Sequence, residues 1–444
     1  MQDKPPSEDK TSAVGRTGFR EHELRELSLG EIHARPFQSV QTPRRVVHYA
    51  FTTDGDGSRI ARDNLERLCR NAGVAPPKSE DSHHIVSFGE ARLRWETHSE
   101  FTTYTWDFDP PESEATPSFD ALFGGHFEQP GPLIVATRLD LVGGDRDIGE
   151  LLGGLDPGTT AVSAMRDGRA IGATDFQENA DGMTRILVVD RGLYSHEVGP
   201  VVIRLIELET YRTMALFGLP EARRLQPMIA RVEVALQDAT TKIGLSPDLA
   251  ENRALLESLT KLAGDLEASV AKSAFRFAAT RAYNDIVQNR MGAIRETALE
   301  GYTRWSSFLQ RRMGPAMRTC WGVETRLREV SDRLARAANL LRTRIEVDLE
   351  QQNRELLASM NSRARLQLRL QQWVEGLSVA AVSYYIVSLV YYLANGVDSL
   401  GSGLNPAGIT ALAIPPVVLG IWFFVRSVRA RGHADEAAED QSPS

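Results

Sequence analysis

The sequence predicts an α+β domain, then a long-helix, coiled-coil stalk, then a C-terminal two-helix transmembrane hairpin. Three observations predict it. Short apolar stretches separated by turn residues fill the chain to about residue 195. From 196 to 372 strand signals vanish and apolar residues recur at three and four. Two charge-free apolar runs of eighteen residues each close the chain. The expected parts are a polar, disordered tail over 1–22, the mixed-sheet domain over 23–195, the stalk over 196–372, the hairpin over 373–427 and a polar tail over 428–444.

In the first domain the expected strands are Arg45–Phe51, His83–Phe88, Ala91–Trp95, Thr102–Phe108, Leu133–Val142, Ala161–Arg166, Ala170–Phe176 and Arg185–Asp190. Turns at Gly89 and at Asp167–Gly168 make hairpins of their neighbours, because an Asp-Gly pair supplies the positive φ that tight hairpins need. Arg62–Ala72 and a segment near Leu151 read as helices, and Asp109–Pro132, rich in Pro, Glu and Gly, as a long loop. Hairpins mixed with helices argue for an α+β sheet domain and against a doubly wound one.

In the stalk Leu327, Val330, Leu334, Ala337, Leu341, Ile345 and Leu349 form an amphipathic stripe. Gly218-Leu-Pro220, Gly244 and Gly314-Pro315 are the expected helix breaks. One helix is then expected from Pro315 to Ala394, roughly 120 Å at 1.5 Å per residue. So long a stripe must bury itself, and a homo-oligomer through the stalk and first membrane helix is the expected partner.

The two apolar runs are 377–394 and 408–425. Each suffices for a ~30 Å hydrocarbon core. Arg354, Arg363, Arg365 and Arg369 precede the first; Arg426, Arg429 and Arg431 follow the second; the connecting loop has no Lys or Arg and one acid, Asp398. The positive-inside rule puts both termini in the cytoplasm. The N-terminus has no apolar core and does not read as a signal peptide. Two cysteines in 444 residues suit a reducing compartment, and a net charge of −8 disfavours nucleic acid. The expected location is a bacterial cytoplasmic (inner) membrane, multi-pass, with the lipid bilayer as a partner.

Catalytic patterns are not found: there is no GxxxxGK[ST], HExxH, CxxC or GxSxG, and no enzyme or resident cofactor is expected. His33, His48, His83, His84 and His98 fall in the α+β domain, where a metal site is the minor reading. A polar cluster is expected among His33, Arg35, Arg44, Arg45, Glu96, His98 and Glu100, as an intramolecular network or a ligand site. In the first span, steps of three and four join Ser378, Ala381, Tyr385, Ser388, Tyr392 and Asn395 into one polar stripe. Such a stripe lines a hydrated pore in an oligomer or packs helices together.

Over nearly its whole length the chain resembles a bacterial family of uncharacterised, predicted membrane-anchored proteins. The resemblance is carried by Glu31-Ile-His-Ala-Arg-Pro-Phe37, Pro43-Arg-Arg-Val46, Leu93-Arg-Trp-Glu96, Glu100-Phe-Thr-Thr103, Glu209-Thr-Tyr-Arg212 and Val374 to Tyr385. In plan it also resembles the CorA-type two-helix divalent cation transporters, whose signature Tyr-Gly-Met-Asn ends the first membrane helix. Here that place reads Tyr392-Leu393-Ala394-Asn395, which keeps the Tyr and the Asn and lacks the Gly and the Met. That resemblance implies pentamers around the first helix, Asn395 at the pore mouth, Ser378, Tyr385, Ser388 and Tyr392 along it, and a divalent cation such as Mg2+ as the transported ion. The alternative is a membrane-anchored scaffold or regulatory protein without transport.

Overall fold

The computed structural model describes residues 22, 25, 29, 40–79, 81–110, 117–144, 146–245, 248–399 and 405–439. The predicted tail and the Glu31–Phe37 segment, with His33 and Arg35, lie outside them.

Nine strands form one mixed sheet in the order β2-β3-β4-β1-β5-β8-β7-β6-β9. They are β1 (Arg44–Thr52), β2 (His83–Phe88), β3 (Ala91–Thr97), β4 (Phe101–Phe108), β5 (Leu133–Gly143), β6 (Ala161–Met165), β7 (Ala170–Thr174), β8 (Thr184–Asp190) and β9 (Thr297–Ala298). All neighbours pair antiparallel except β5 and β8. The expected hairpins form, with Asp167 at φ 60 and Gly168 at φ 84 in one and Gly89 at φ 62 in the other. β9 corrects the expectation that strands end at about 195. Helix α1 (Gly55–Asn71) starts a full two turns before Arg62, with the Asp54 side chain accepting the Gly57 N–H at 2.8 Å. Gly57 is needed there, since a Cβ would stand 2.4 Å from the Pro130 carbonyl oxygen. Within the expected Asp109–Pro132 loop a short helix, α2, spans Phe119–Phe123, and α3 (Ile148–Leu151) stands near Leu151 as expected.

Strand alternation sorts β1 into two faces. Val47, Tyr49 and Phe51 join Leu93, Trp95, Tyr104 and Trp106 under α1, where Ala61, Leu65 and Cys69 meet them. Further along the same face, Val162, Ile171, Leu187 and Val189 pack with Ile148 and Leu151 of α3. The opposite face, including Val46, Leu139, Ile186 and Val188, is covered by Val198, Val201, Val202 and Leu205 of α4 (Ser195–Leu216). A sheet buried on both sides explains why β1 reads as nearly continuous apolar sequence.

Beyond α4 come α5 (Gly218–Leu245), α6 (Leu249–Ile294), α7 (Trp305–Asp398) and α8 (Pro406–Glu439). Gly218 and Gly244 mark helix ends as expected. Gly314-Pro315 does not, because α7 runs straight through it. The chain divides into two compact units, the described residues of Met1–Ser246 with Ala254–Ala338, and those of Pro247–Arg253 with Asn339–Ser444.

In the second unit α7 and α8 are long and apolar enough to cross a membrane. From Gln351 to Val374 every residue of α7 is exposed, including Leu356, Leu357, Met360 and Leu370. Farther on, Ser383 and Ala394 are buried, with Val379, Val387 and Val390 half-buried on the same stripe. Thr410, Ala413, Val417 and Ile421 of α8 are half-buried at matching three- and four-residue spacing, the pattern of one helix face laid on another.

Candidate functional site

Members of the expected polar cluster make these contacts. Arg44 and Arg45 are successive on β1 and so point to opposite faces. Arg44 donates from Nε to Asp107 Oδ1 at 2.7 Å, pairs with Asp109, and donates from Nη2 to the Glu90 carbonyl at 2.9 Å. Glu96 accepts from Arg94 at 2.8 Å. The His98 ring stacks on Phe101 with centroids 4.2 Å apart. Glu100 pairs with Arg276 of α6. These contacts fasten sheet edges and helices. Among the described residues no three His, Cys, Asp or Glu side chains converge to hold a metal.

Arg45 belongs to a different constellation, one that the sequence reading did not single out. It faces the α1 side of the sheet, directly across from Asp140 of β5 in register. Two residues along β5, on the same face, stands Arg138; its register partner on β8 is Arg185. Three guanidinium groups thus close on one carboxylate. Arg45 Nε donates to Asp140 Oδ1 at 2.7 Å, and Arg138 Nε to Oδ2 at 2.9 Å. Arg185 Nε stands 3.5 Å from Oδ2, beyond hydrogen-bond geometry, and has no hydrogen-bond partner, while its Nη1 donates to the Gly153 carbonyl at 2.9 Å. Arg45 is 5% exposed, Arg138 7% and Asp140 7%. Burial alone pushes the Asp140 carboxyl up, but the hydrogen bonds and charges of Arg138 and Arg45 outweigh it and hold the group below the usual carboxylate range.

This cluster floors a cavity of about 480 Å³ in the gap between the α1-covered and α3-covered parts of the sheet, with Arg44 and Arg146 also on its walls. The signal for it was the alternation Arg138-Leu139-Asp140 inside an apolar strand, which puts two charges on one buried face. Arg185 is invisible to that logic, since its proximity comes from the β5–β8 pairing.

The pore candidates stand in the second unit. Tyr385 and Tyr392 are about 70% exposed, Ser378 and Asn395 are exposed, and Ser388 is half-buried. Their stripe lies about 200° around α7 from the buried stripe of Ser383, two residues away at 3.6 per turn. Asp398 is the last residue of α7.

Residues 20–432 match the model of a family described as "Protein of unknown function (DUF3422)". The chain belongs to that family. The match takes in the arginine cavity, the long helices and both apolar runs, so DUF3422 is a property of the whole chain rather than of its sheet alone. No curated protein and no solved structure matches the chain.

Proposed function

We propose that this chain is an integral protein of a bacterial cytoplasmic membrane that assembles as a homo-oligomer around α7 and passes a divalent cation, Mg2+ being the expected one, along the polar stripe of its first span. The observation that carries this reading is the direction of the stripe. Ser378, Tyr385, Tyr392 and Asn395 are exposed, on a side of α7 turned away from the stripe that holds Ser383 and Ala394. Hydroxyls and an amide turned toward acyl chains lack partners there, so a second copy of the same face is the natural cover. A ring of such faces offers oxygen ligands, which suit a hard cation. The uncovered leucines between Gln351 and Val374 support assembly by the same helix. Arginines before the first span and after the second favour both ends in the cytoplasm.

A second reading, a membrane-anchored regulatory protein without transport, is favoured by the arginine-lined cavity, which a pore has no need of. Mass-resolved light scattering on the detergent-extracted chain and Mg2+ uptake into proteoliposomes separate the two. The transport reading expects an oligomer of more than two copies and a flux that falls at least about tenfold in Ser388→Leu and Asn395→Leu, the effect of losing polar ligands along a narrow path. A monomer or dimer, or an oligomer whose vesicles take up no more Mg2+ than empty ones, overturns it and leaves the tethered regulator.

A further inference from the structure

Another cavity of the sheet-bearing unit, about 370 Å³, is lined by the segment after β7, the end of α4 and the start of α7. Part of its wall is a stack of two rings and two cations. Phe176 and Phe308 lie nearly parallel with centroids 4.8 Å apart. The Arg212 guanidinium stands 5.1 Å from the Phe176 ring, and that of Arg312 stands 4.6 Å from the Phe308 ring. Arg212 is committed to Glu209, to which its Nε donates at 2.6 Å, so the Glu209-Thr-Tyr-Arg212 string builds this wall. Phe176 holds φ at 56, in the left-handed region that bulky residues avoid, and such departures gather at ligand sites.

Two opposite charges on this cavity lack a counter-ion. Asp175 is 7% exposed, and its oxygens accept main-chain N–H groups, Oδ1 from Gln177 and Oδ2 from Asp156, both at 3.0 Å. A carboxylate has about four acceptor sites, so about half of them stay open. Buried charges are ordinarily paired, yet among the described residues no cation pairs with Asp175. Arg312 is exposed, touches the Phe308 ring and, among the described residues, makes no ion pair or hydrogen bond. Leu216, Leu309 and Met313 add apolar surface to the lining.

We propose that this cavity binds a free α-amino acid with an apolar side chain, its ammonium on Asp175, its carboxylate on Arg312 and its side chain against Leu216, Leu309 and Met313. A zwitterion answers both unmet charges at once. A simple anion would leave Asp175 buried beside a like charge, and a simple cation would leave Arg312 unmet. Ligand pockets run from about 300 to 1,000 Å³, so a cavity of this size takes a small ligand. The proposal rests on neither reading of the membrane helices.

The test is calorimetric titration of the purified full-length chain in detergent at low salt. The probes are L-leucine, L-phenylalanine and two analogues of the latter, phenethylamine without the carboxylate and 3-phenylpropionate without the ammonium. Saturable binding of leucine or phenylalanine is expected, with each analogue about tenfold weaker, the equivalent of one charge-assisted contact. Arg312→Gln removes an exposed side chain and is expected to weaken the amino acids about tenfold. Phenethylamine, which has no carboxylate to lose, is expected to bind that variant and the unaltered chain alike. Asp175→Asn is expected to weaken the amino acids similarly and to spare 3-phenylpropionate; should it fail to fold, Arg312→Gln decides alone. No binding of either amino acid, an analogue binding as tightly as phenylalanine, or an Arg312→Gln variant that binds phenylalanine unchanged would each overturn the proposal. So would an Arg312→Gln variant that weakens phenethylamine as much as phenylalanine, since the side chain would then only support the wall. None of these readouts depends on flux or subunit number.

Discussion

Trp305→Ala should lower the stability of the sheet-bearing unit by about 3–5 kcal/mol, the range for deleting a large buried aromatic side chain. Trp305 is the first residue of α7 and has no exposed surface. Its indole N–H donates to the carbonyls of Ala161 and Gly172, both at 3.1 Å, so one side chain ties the start of the helix to β6 and β7. Its backbone N–H donates to Ser163 Oγ at 3.1 Å, and Phe176 meets its ring edge-on with centroids 5.3 Å apart. Glu296 completes the fastening by accepting the Ser306 N–H at 3.1 Å, an acid at a helix N-terminus. Trp305→Phe retains most of the apolar volume and loses the indole donor, so a smaller loss of about 1–2 kcal/mol is expected. Urea denaturation followed by circular dichroism reads both. A Trp305→Ala midpoint within error of the unaltered chain would mean that the core closes over the missing ring, and that Trp305 does not fasten α7.

Much of this fold was readable because it is written locally. β1 is apolar on both faces, the Asp167–Gly168 turn needs positive φ, and the stripe Leu327, Val330, Leu334 recurs at helical spacing, so each element announced itself within a dozen residues. What escaped is written at a distance. Proline 315 removes a helical donor and crowds the carbonyl before it, which is why Gly314-Pro315 read as a stop. The helix continues because Leu309, Met313, Met317, Cys320 and Val323 carry one buried stripe across the proline, and packing outweighs the local penalty. β9 has two residues and exists only because β6 offers an edge, with Ser163 opposite Ala298. The arginine constellation is the clearest case. Arg45, Arg138 and Arg185 belong to three strands that no local pattern relates, and only the sheet order makes them neighbours.

Acid should weaken the same unit through His48, a group that carries no charge in the folded state at neutral pH. Its ring is 4% exposed on the α4 side of the sheet. Thr210 gives its hydroxyl proton to the Ile206 carbonyl at 3.2 Å, so its oxygen accepts from His48 Nε2 at 3.0 Å, and Nδ1 is left to accept from the Thr105 hydroxyl at 2.8 Å. Both ring nitrogens are thereby satisfied in the neutral form. Burial pulls the pKa from 6.5 down to about 3; Glu96 opposes the shift, and Arg94 and His98 add to it. The unfolded chain takes up a proton at 6.5 that the folded chain refuses until about 3, so stability is full above 6.5 and is lost as pH falls between those values. At 1.36 kcal/mol per unit, about 3 kcal/mol should go between pH 6.5 and pH 4. His48→Gln keeps a donor and an acceptor and removes the titration. Carboxylates such as Asp140 titrate alike in both proteins, so the difference between their urea midpoints isolates the histidine. That difference should move toward the variant as pH is lowered; parallel curves from pH 7 to 4 would mean that His48 reaches water before it takes up its proton.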